Sequence, residues 1–225
     1  MFEEQVDYFV KDYNILLWDA PAHGKSRPFQ QFDYDKAAKA IKQILGAENI
    51  SDAVFVGQSM GGFITQAVIK RFPELVTAFV SIDSTPYGEE YYSKSDVFWL
   101  KQVEWMASLF SLKTIKQAIA KQNTVTQAGY ANMISMLVPY GKIEICHLMG
   151  IGYAGFLEDN CELKIECPVL LLVGEKDNTG KVKQYNKAWS RRTGSDIIWI
   201  PNAAHNSNVD NPEFVNVCIK KFLDN

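Results

Sequence analysis

Ser59 lies between two glycines in a stretch that could carry nucleophilic chemistry. The stretch AVFVGQSMGGFITQ, residues 53–66, places an apolar run before a G-x-S-x-G motif and an amphipathic run after it. This order predicts a buried strand, a tight turn at the serine and then a helix, with Gly57 and Gly61 needed because side chains there would collide with neighbouring backbone. The turn would raise the hydroxyl beside the helix N-terminus, where the Met60 N–H could face an acyl oxygen that gains negative charge.

A serine hydroxyl is a weak nucleophile until a base takes its proton, and His205 is the preferred candidate for that base. It follows the last predicted strand in the small and polar loop IPNAAHNSNVDNPEF. The other two histidines are alternatives. His23 lies in the loop DAPAHGKS, where a structural or pocket-rim role is favoured, and His147 beside Cys146 is interpreted as a packing residue.

The base needs an acidic partner that fixes its tautomer and stabilises the imidazolium. Asp177 is the preferred partner because it stands in LLLVGEKDNTG, just beyond a predicted buried strand. Glu175 in the same turn and Asp83 at the end of TAFVSID are the other candidates, and Asp83 is ranked well behind Asp177.

The elements that must position these residues are short apolar runs that alternate with helix-period segments, a pattern typical of an α/β fold with a mainly parallel sheet. The predicted strands are residues 14–18, 53–57, 77–82, 168–174 and 196–200. The runs are nearly continuous in apolar residues, as expected for strands covered on both faces. The predicted helices are residues 33–46, 60–72, 181–192 and 211–223, the last with Asn211 as N-cap and Pro212 in the first turn.

Residues 84–160 break the alternation, because they carry large apolar residues at helical spacing and no buried-strand run. We interpret them as a helical cap inserted into a core formed by residues 1–83 and 161–225. The cap is expected to lie over Ser59 and to exclude water from it. Some of its large side chains should face a substrate pocket, and the candidates are Trp99, Trp105, Phe110 and Met136.

The overall composition excludes several classes of function. The 225 residues carry a net charge of −3, and neither sign forms a long block, so neither a nucleic-acid nor a membrane partner is expected. The four cysteines lack CxxC spacing, which argues against a metal site or a disulfide framework. The acidic, amphipathic start does not resemble a signal peptide, and a cytoplasmic location is expected.

The order Ser59, Asp177, His205 resembles that of the α/β-hydrolase superfamily, in particular its cap-bearing serine esterases, lactonases and C–C hydrolases. LLWDAPAHGKSRP is similar to the family's loop after its fourth strand, GQSMGG to its nucleophile turn, LLLVGEKD to its acid turn and IPNAAHNSNVDNPEFVN to its histidine loop. The resemblance implies a serine hydrolase with a small-molecule acyl substrate and no metal or organic cofactor. A serine at this turn argues against the related dehalogenases and epoxide hydrolases, which use an aspartate.

The family normally opens with three strands, and a loop after the third donates a second oxyanion N–H. Met1 falls inside what resembles the following helix, and the favoured account is a reading frame that starts too late, with rearrangement, a partner chain or a degraded relative as alternatives. The strands carrying Trp18 and Val56 should then have unpaired edges that either pair with each other or promote self-association. One lost oxyanion donor typically lowers kcat by about 10²–10³-fold. A ligand-binding protein with little turnover is therefore the alternative function.

Overall fold

The structure is a computed structural model that describes residues 1–28 and 32–224. Four strands form one sheet in the order β1-β2-β3-β4, and every neighbouring pair is parallel. The strands are β1 (Ala53–Gln58), β2 (Val76–Ile82), β3 (Val169–Gly174) and β4 (Asp196–Ile200). The helices are α1 (Glu3–Phe9), α2 (Tyr34–Ala47), α3 (Met60–Arg71), α4 (Lys94–Ser108), α5 (Leu112–Asn123), α6 (Gln127–Leu137), α7 (Lys142–Ala154), α8 (Val182–Thr193), α9 (Ser207–Asp210) and α10 (Pro212–Leu223).

Both faces of the sheet are covered, as the apolar strand runs predict. Alternate strand residues point to opposite faces, so Phe79 and Leu171 join a core with α2, α3 and α8. Val80 and Leu172 join the opposite core with α1 and α10. The α/β architecture with a mainly parallel sheet is therefore confirmed.

The helices begin where the sequence predicts them. Asp33 accepts a hydrogen bond from the Lys36 N–H at the start of α2. Asn211 accepts one from the Phe214 N–H at the start of α10, where Pro212 occupies the first turn. In the described part of the chain, no helix is both long and apolar enough to cross a membrane.

The section between β2 and β3 is helical, as predicted, and contains α4 to α7. These helices bury a small core of their own around Ile115 and Ile145, separate from the two cores of the sheet. Their division from the rest of the chain as a cap remains a prediction.

The predicted strand at residues 14–18 is wrong, because this segment forms no strand in the structure. Ile15, Leu16 and Leu17 are open to solvent, with Leu17 63% exposed, and Trp18 is partly buried against a core of the sheet. A strand is stable only when its backbone groups pair with a neighbour, and no described strand lies beside this segment. The expected direct pairing between this segment and the strand carrying Val56 is therefore absent as well.

β1 stands at one end of the sheet and presents an open edge. The Ser59 N–H bonds to the Ile82 carbonyl, so the odd-numbered residues of β1 face β2. The N–H and C=O groups of Val54 and Val56 must then point away from the sheet, and no strand in the described ranges pairs with them. Both valine side chains are also substantially exposed, at 40% and 38%.

We expect this open edge to make the chain associate with itself, because exposed apolar edges recruit other strands. Val54→Lys should weaken self-association by about tenfold or more, since a charged edge residue opposes strand addition. Val217→Lys is the matched control, because Val217 is 43% exposed on α10, away from the edge. Light scattering over a range of concentrations would measure the effect. A wild-type chain that stays monomeric at every concentration would contradict the prediction.

Candidate active site

Ser59 occupies a strained turn between β1 and α3. Its backbone has φ 48° and ψ −113°, values that a residue with a side chain rarely adopts. Strain of this kind persists only where the surroundings enforce it, and it concentrates at functional sites. Met60 is the first residue of α3, where a helix offers no internal acceptor for the N–H. The turn therefore places a half-buried hydroxyl beside a helix N-terminus.

Close approaches at Gly57 and Gly62 shape this turn, whereas the sequence predicted them at Gly57 and Gly61. A Cβ on Gly57 would lie 2.5 Å from the Gly61 carbonyl group, and a Cβ on Gly62 would lie 2.4 Å from the Ser84 side chain. A Cβ on Gly61 would meet nothing within 4 Å. The steric requirement predicted for Gly61 is therefore wrong, because its Cα faces open space and the close approach falls on Gly62.

Alanine substitutions at Gly57 and at Gly61 should have opposite effects on the free energy of unfolding. Gly57→Ala should lower the free energy of unfolding by at least about 1–3 kcal/mol, because the new methyl group meets rigid backbone. Gly61→Ala, the matched control, should raise it by about 0.5–1 kcal/mol, because alanine is the better helix former and the site is open. Urea unfolding followed by circular dichroism would measure both values. Equal destabilisation by the two variants would contradict this account of the turn.

The structure brings together Ser59, His205 and Asp177, the three residues predicted from the sequence. The His205 Nε2 lies 2.8 Å from the Ser59 Oγ, and its Nδ1 lies 2.8 Å from the Asp177 Oδ2. Asp177 and His205 are buried, at 1% and 8% exposure. Hydrogen bonds thus connect the Ser59 hydroxyl, the His205 imidazole and the Asp177 carboxylate, and we call these three side chains the relay. In this arrangement the imidazole can take the proton of the serine hydroxyl.

The acid turn after β3 holds the second carboxylate oxygen of Asp177. The Thr179 N–H donates to Asp177 Oδ1 at 2.7 Å, so Oδ2 is left for the imidazole. The Lys176 N–H donates to the Ala203 carbonyl at 2.9 Å, which joins the acid turn directly to the loop that carries His205. The approach is close enough that a Cβ on Gly174 would lie 2.2 Å from the Ala204 carbonyl oxygen.

The surroundings of His205 favour its protonated form. Burial alone would lower its pKa, but the charge of Asp177, the hydrogen bond to that carboxylate and the charge of Asp83 together raise the pKa above its ordinary value. The carboxylate on Nδ1 favours the neutral tautomer whose Nε2 can accept the Ser59 proton. The imidazole is thus both oriented and made more basic by its buried neighbours.

The alternative candidates from the sequence occupy other positions. His23 contacts the Pro21 carbonyl through Nδ1 at 3.0 Å, and burial lowers its pKa. His147 is exposed and lies 3.3 Å from Glu104. Glu175 is exposed in the acid turn. Asp83 is buried near the relay, but its carboxylate bonds to backbone amides and not to the imidazole.

Gln58, the residue before the serine, is a positioning contact that the sequence did not indicate. Its Nε2 donates to the His205 carbonyl at 2.6 Å, so the nucleophile turn holds the histidine loop directly. In the sequence Gln58 is only the variable position of G-x-S-x-G, and nothing in the local pattern points to a partner 147 residues away.

The last residue of α5 and its link to α6, together residues 123–126, make a second contact that the sequence did not indicate. We call these residues the docking segment. The Asp210 carboxylate accepts hydrogen bonds from the Val125 and Thr126 N–H groups, each at 3.0 Å, and from the Thr126 hydroxyl at 2.7 Å. The same carboxylate accepts the Ala204 N–H at 3.0 Å, next to His205. Hydrogen bonds therefore join the helical section to the loop that carries His205.

Asn123 extends this connection to both sides of the relay. Its carbonyl accepts the Asn206 N–H at 2.8 Å, and its side-chain oxygen accepts the Thr179 hydroxyl at 3.2 Å. Asn206 follows His205 in the chain, and Thr179 is the residue that bonds Asp177. Asn123 of the helical section thus contacts residues next to both Asp177 and His205.

The four predicted pocket residues lie in the helical section. Trp99, Trp105 and Phe110 are each more than half exposed, and Met136 is half-buried. Trp105 lines a groove of about 690 Å³ between α4 and α7, and none of the three relay residues lines this groove. A substrate-contacting role for these four side chains remains a prediction.

In the described ranges, no group of three or more histidine, cysteine or acidic residues is arranged to hold a metal ion.

Comparison with known proteins gives consistent similarities. A family profile described as the alpha/beta hydrolase fold matches residues 1–212. The chain is 26% identical over 234 residues to (E)-2-((N-methylformamido)methylene)succinate hydrolase of Acinetobacter baylyi, over 98% of this chain and 84% of that protein. It is 22% identical over 235 residues to 3-oxoadipate enol-lactonase 2 of the same organism, over 99% and 83%. A thermophilic esterase from Thermogutta terrifontis shares the fold, with a TM-score of 0.79 at 16% identity over 99% of this chain and 84% of that one.

Proposed function

The chain belongs to the α/β hydrolase fold family, and we propose that it is a serine hydrolase. Its substrate class is a small ester, thioester, lactone or activated C–C bond. The catalytic residues are Ser59 as nucleophile, His205 as general base and acid, and Asp177 as the carboxylate that orients the imidazole. The observation that carries the proposal is the pair of 2.8 Å contacts joining these three side chains at a strained turn.

The reaction would proceed in two halves through an acyl-enzyme. His205 Nε2 takes the Ser59 proton while Oγ attacks the acyl carbon, and the charge on the carbonyl oxygen is stabilised by the Met60 N–H at the start of α3. The imidazolium then protonates the leaving group as its bond to the acyl carbon breaks. Water, deprotonated by the same imidazole, then attacks the acyl-enzyme; the bond between the acyl carbon and Ser59 Oγ breaks, the imidazolium returns the proton to Oγ, and the acid leaves. Asp177 stays ionised throughout and stabilises each imidazolium.

The choice of substrate class rests on the relatives and on the helical section. Two of the relatives are named as a hydrolase of a succinate derivative and as an enol-lactonase, and these names support the ester and lactone members of the proposed substrate class. We propose that α4 to α7 form a cap above Ser59, because the docking segment lies against the loop that carries His205. A cap in this place would exclude water and set the size of the acyl group.

Labelling with a fluorophosphonate probe tests the proposal. The wild-type chain should form one covalent adduct, located at Ser59 by mass spectrometry, and Ser59→Ala should form none. A panel of esters, thioesters and lactones would then identify the substrate class. A folded wild-type chain that neither labels nor hydrolyses any member of the panel would contradict the proposal.

A second candidate function is a ligand-binding protein with little turnover. It is favoured by the oxyanion site, for which we identify one donor, the Met60 N–H, in the described ranges. Thermal shift with the same panel separates the two functions. If ligands raise the melting temperature while wild type and Ser59→Ala hydrolyse p-nitrophenyl acetate equally slowly, the binding function is the correct one.

A further inference from the structure

Asp83 is a buried carboxylate at the end of β2, the strand between those that lead to Ser59 and to Asp177. It is 1% exposed, and its backbone has φ 49°, a conformation that residues with side chains rarely adopt. Its N–H bonds to the Leu172 carbonyl at 2.8 Å, which fixes the strand end against β3. A strained, buried acidic residue at the edge of the site needs a reason to be there.

Both carboxylate oxygens of Asp83 accept backbone N–H groups from segments that carry the relay. Oδ1 accepts from Gly174 at 2.8 Å, and Oδ2 accepts from Ser207 at 3.0 Å. Gly174 is the last residue of β3, three positions before Asp177, and Ser207 stands two positions after His205. One carboxylate therefore spans the strand end that leads to the acid and the loop that carries the base.

The electrostatic surroundings of Asp83 connect it to the same two residues. No lysine or arginine in the described ranges pairs with its carboxylate, and the charged groups that face it are His205 and Asp177. Burial, with the charge of Asp177, raises the pKa of Asp83 to about 7, while the charge of His205 and the two N–H bonds oppose that rise. In return, the Asp83 charge raises the pKa of His205. The charges of Asp83 and His205 therefore influence each other's protonation.

We propose that Asp83 is a positioning residue: its carboxylate holds the β3 end and the histidine loop at the separation that the Asp177–His205 hydrogen bond requires, and its charge supports the imidazolium. The role rests on the proposed function, in which His205 is the base. Only a side chain with two acceptor oxygens can satisfy both N–H groups at once. An asparagine of the same shape offers one acceptor and turns its NH₂ group against the other N–H.

Asp83→Asn is the test variant, and Ser81→Ala is the matched control. Ser81 lies two residues earlier on β2, is fully buried, and its hydroxyl has no hydrogen-bond partner in the described ranges. With p-nitrophenyl acetate, Asp83→Asn should lower kcat by about 10–100-fold, as for a small misplacement of reacting groups, and change KM by less than about threefold. The acid limb of its pH–rate profile should move to lower pH by about 0.5–1 pH unit. Ser81→Ala should move neither quantity.

Histidine ¹⁵N NMR gives a readout that does not depend on turnover. The chain has three histidines, so the His205 signals can be assigned with single variants of His23 and His147. In Asp83→Asn the pKa of His205 should fall by about 0.5–1 pH unit relative to the wild type. If the wild type proves inactive while this shift is seen, the proposed function fails and the positioning contact stands.

A measurement on the wild type covers a variant that does not fold. The ¹³Cγ signal of Asp83 should change over the same pH range in which His205 titrates, because the two groups are coupled. An Asp83 signal that is flat across the His205 titration would overturn the proposal. So would an Asp83→Asn chain that folds and keeps the wild-type kcat, pH profile and His205 pKa.

Discussion

Ser59→Ala is expected to lower kcat for p-nitrophenyl acetate by about 10⁴–10⁶-fold, the range seen when a serine hydrolase loses its nucleophile. Alanine cannot form the acyl-enzyme, so only direct attack by water remains, helped by the Met60 N–H and by substrate binding. Hydrolysis rates measured at several enzyme concentrations would give the ratio of kcat between the wild type and Ser59→Ala.

The same variant should fold as well as the wild type. Position 59 is half-buried, and alanine meets the same strained backbone as serine, so the melting temperature should change little. Ser51→Ala, at an exposed serine before β1, is the control for the loss of a hydroxyl elsewhere. A Ser59→Ala chain with the wild-type rate would show that the hydrolysis takes place at another site.

Asp177→Asn is expected to lower kcat by about 10⁴-fold with little change in KM. An amide at this position can present its NH₂ group to His205 and so favour the tautomer with the proton on Nε2, which cannot accept the Ser59 proton. Because Asp177 is 1% exposed and its Oδ1 is held by the Thr179 N–H, the side chain has little freedom to turn away.

The pH dependence of the Asp177 variant should also change in a defined direction. The wild-type base is active when neutral, so activity is lost as pH falls through the raised pKa of His205. Without the Asp177 charge, the residual activity should persist to lower pH. Glu175→Gln, an exposed carboxylate two residues earlier, should keep the wild-type rate and profile. If Asp177→Asn retained full activity, Asp83 would be the remaining candidate for the acid.

Most of the fold could be predicted because its signals are local. Strands covered on both faces must be apolar throughout, and the runs at 53–57, 77–82, 168–174 and 196–200 became β1 to β4 within one residue at each end. Residues 14–18 have the same apolar character but formed no strand. The difference is that residues 14–18 have no neighbouring strand to pair with in the described ranges, and a local sequence pattern does not show which strands will be neighbours.

The three relay residues could be placed from the sequence for a similar reason. In a parallel sheet the carboxyl ends of the strands share one edge, so polar residues just after β1, β3 and β4 converge there. Gln58, Asp210 and the docking segment could not be placed, because each acts through a hydrogen bond to distant backbone. Side-chain-to-backbone contacts leave no pattern in the partner's sequence, since any residue supplies a carbonyl or an N–H.

The docking segment has a consequence for exchanging helices between relatives. A complete exchange would replace the helical section between β2 and β3, residues 84–160. In this chain the middle of that region supplies the Asn123 carbonyl to Asn206 and two N–H groups to Asp210. A transplant that removes them leaves the backbone beside His205 without its partners. Grafts that replace α4 or α7 and keep residues 123–126 should therefore yield working chimaeras where complete exchanges do not.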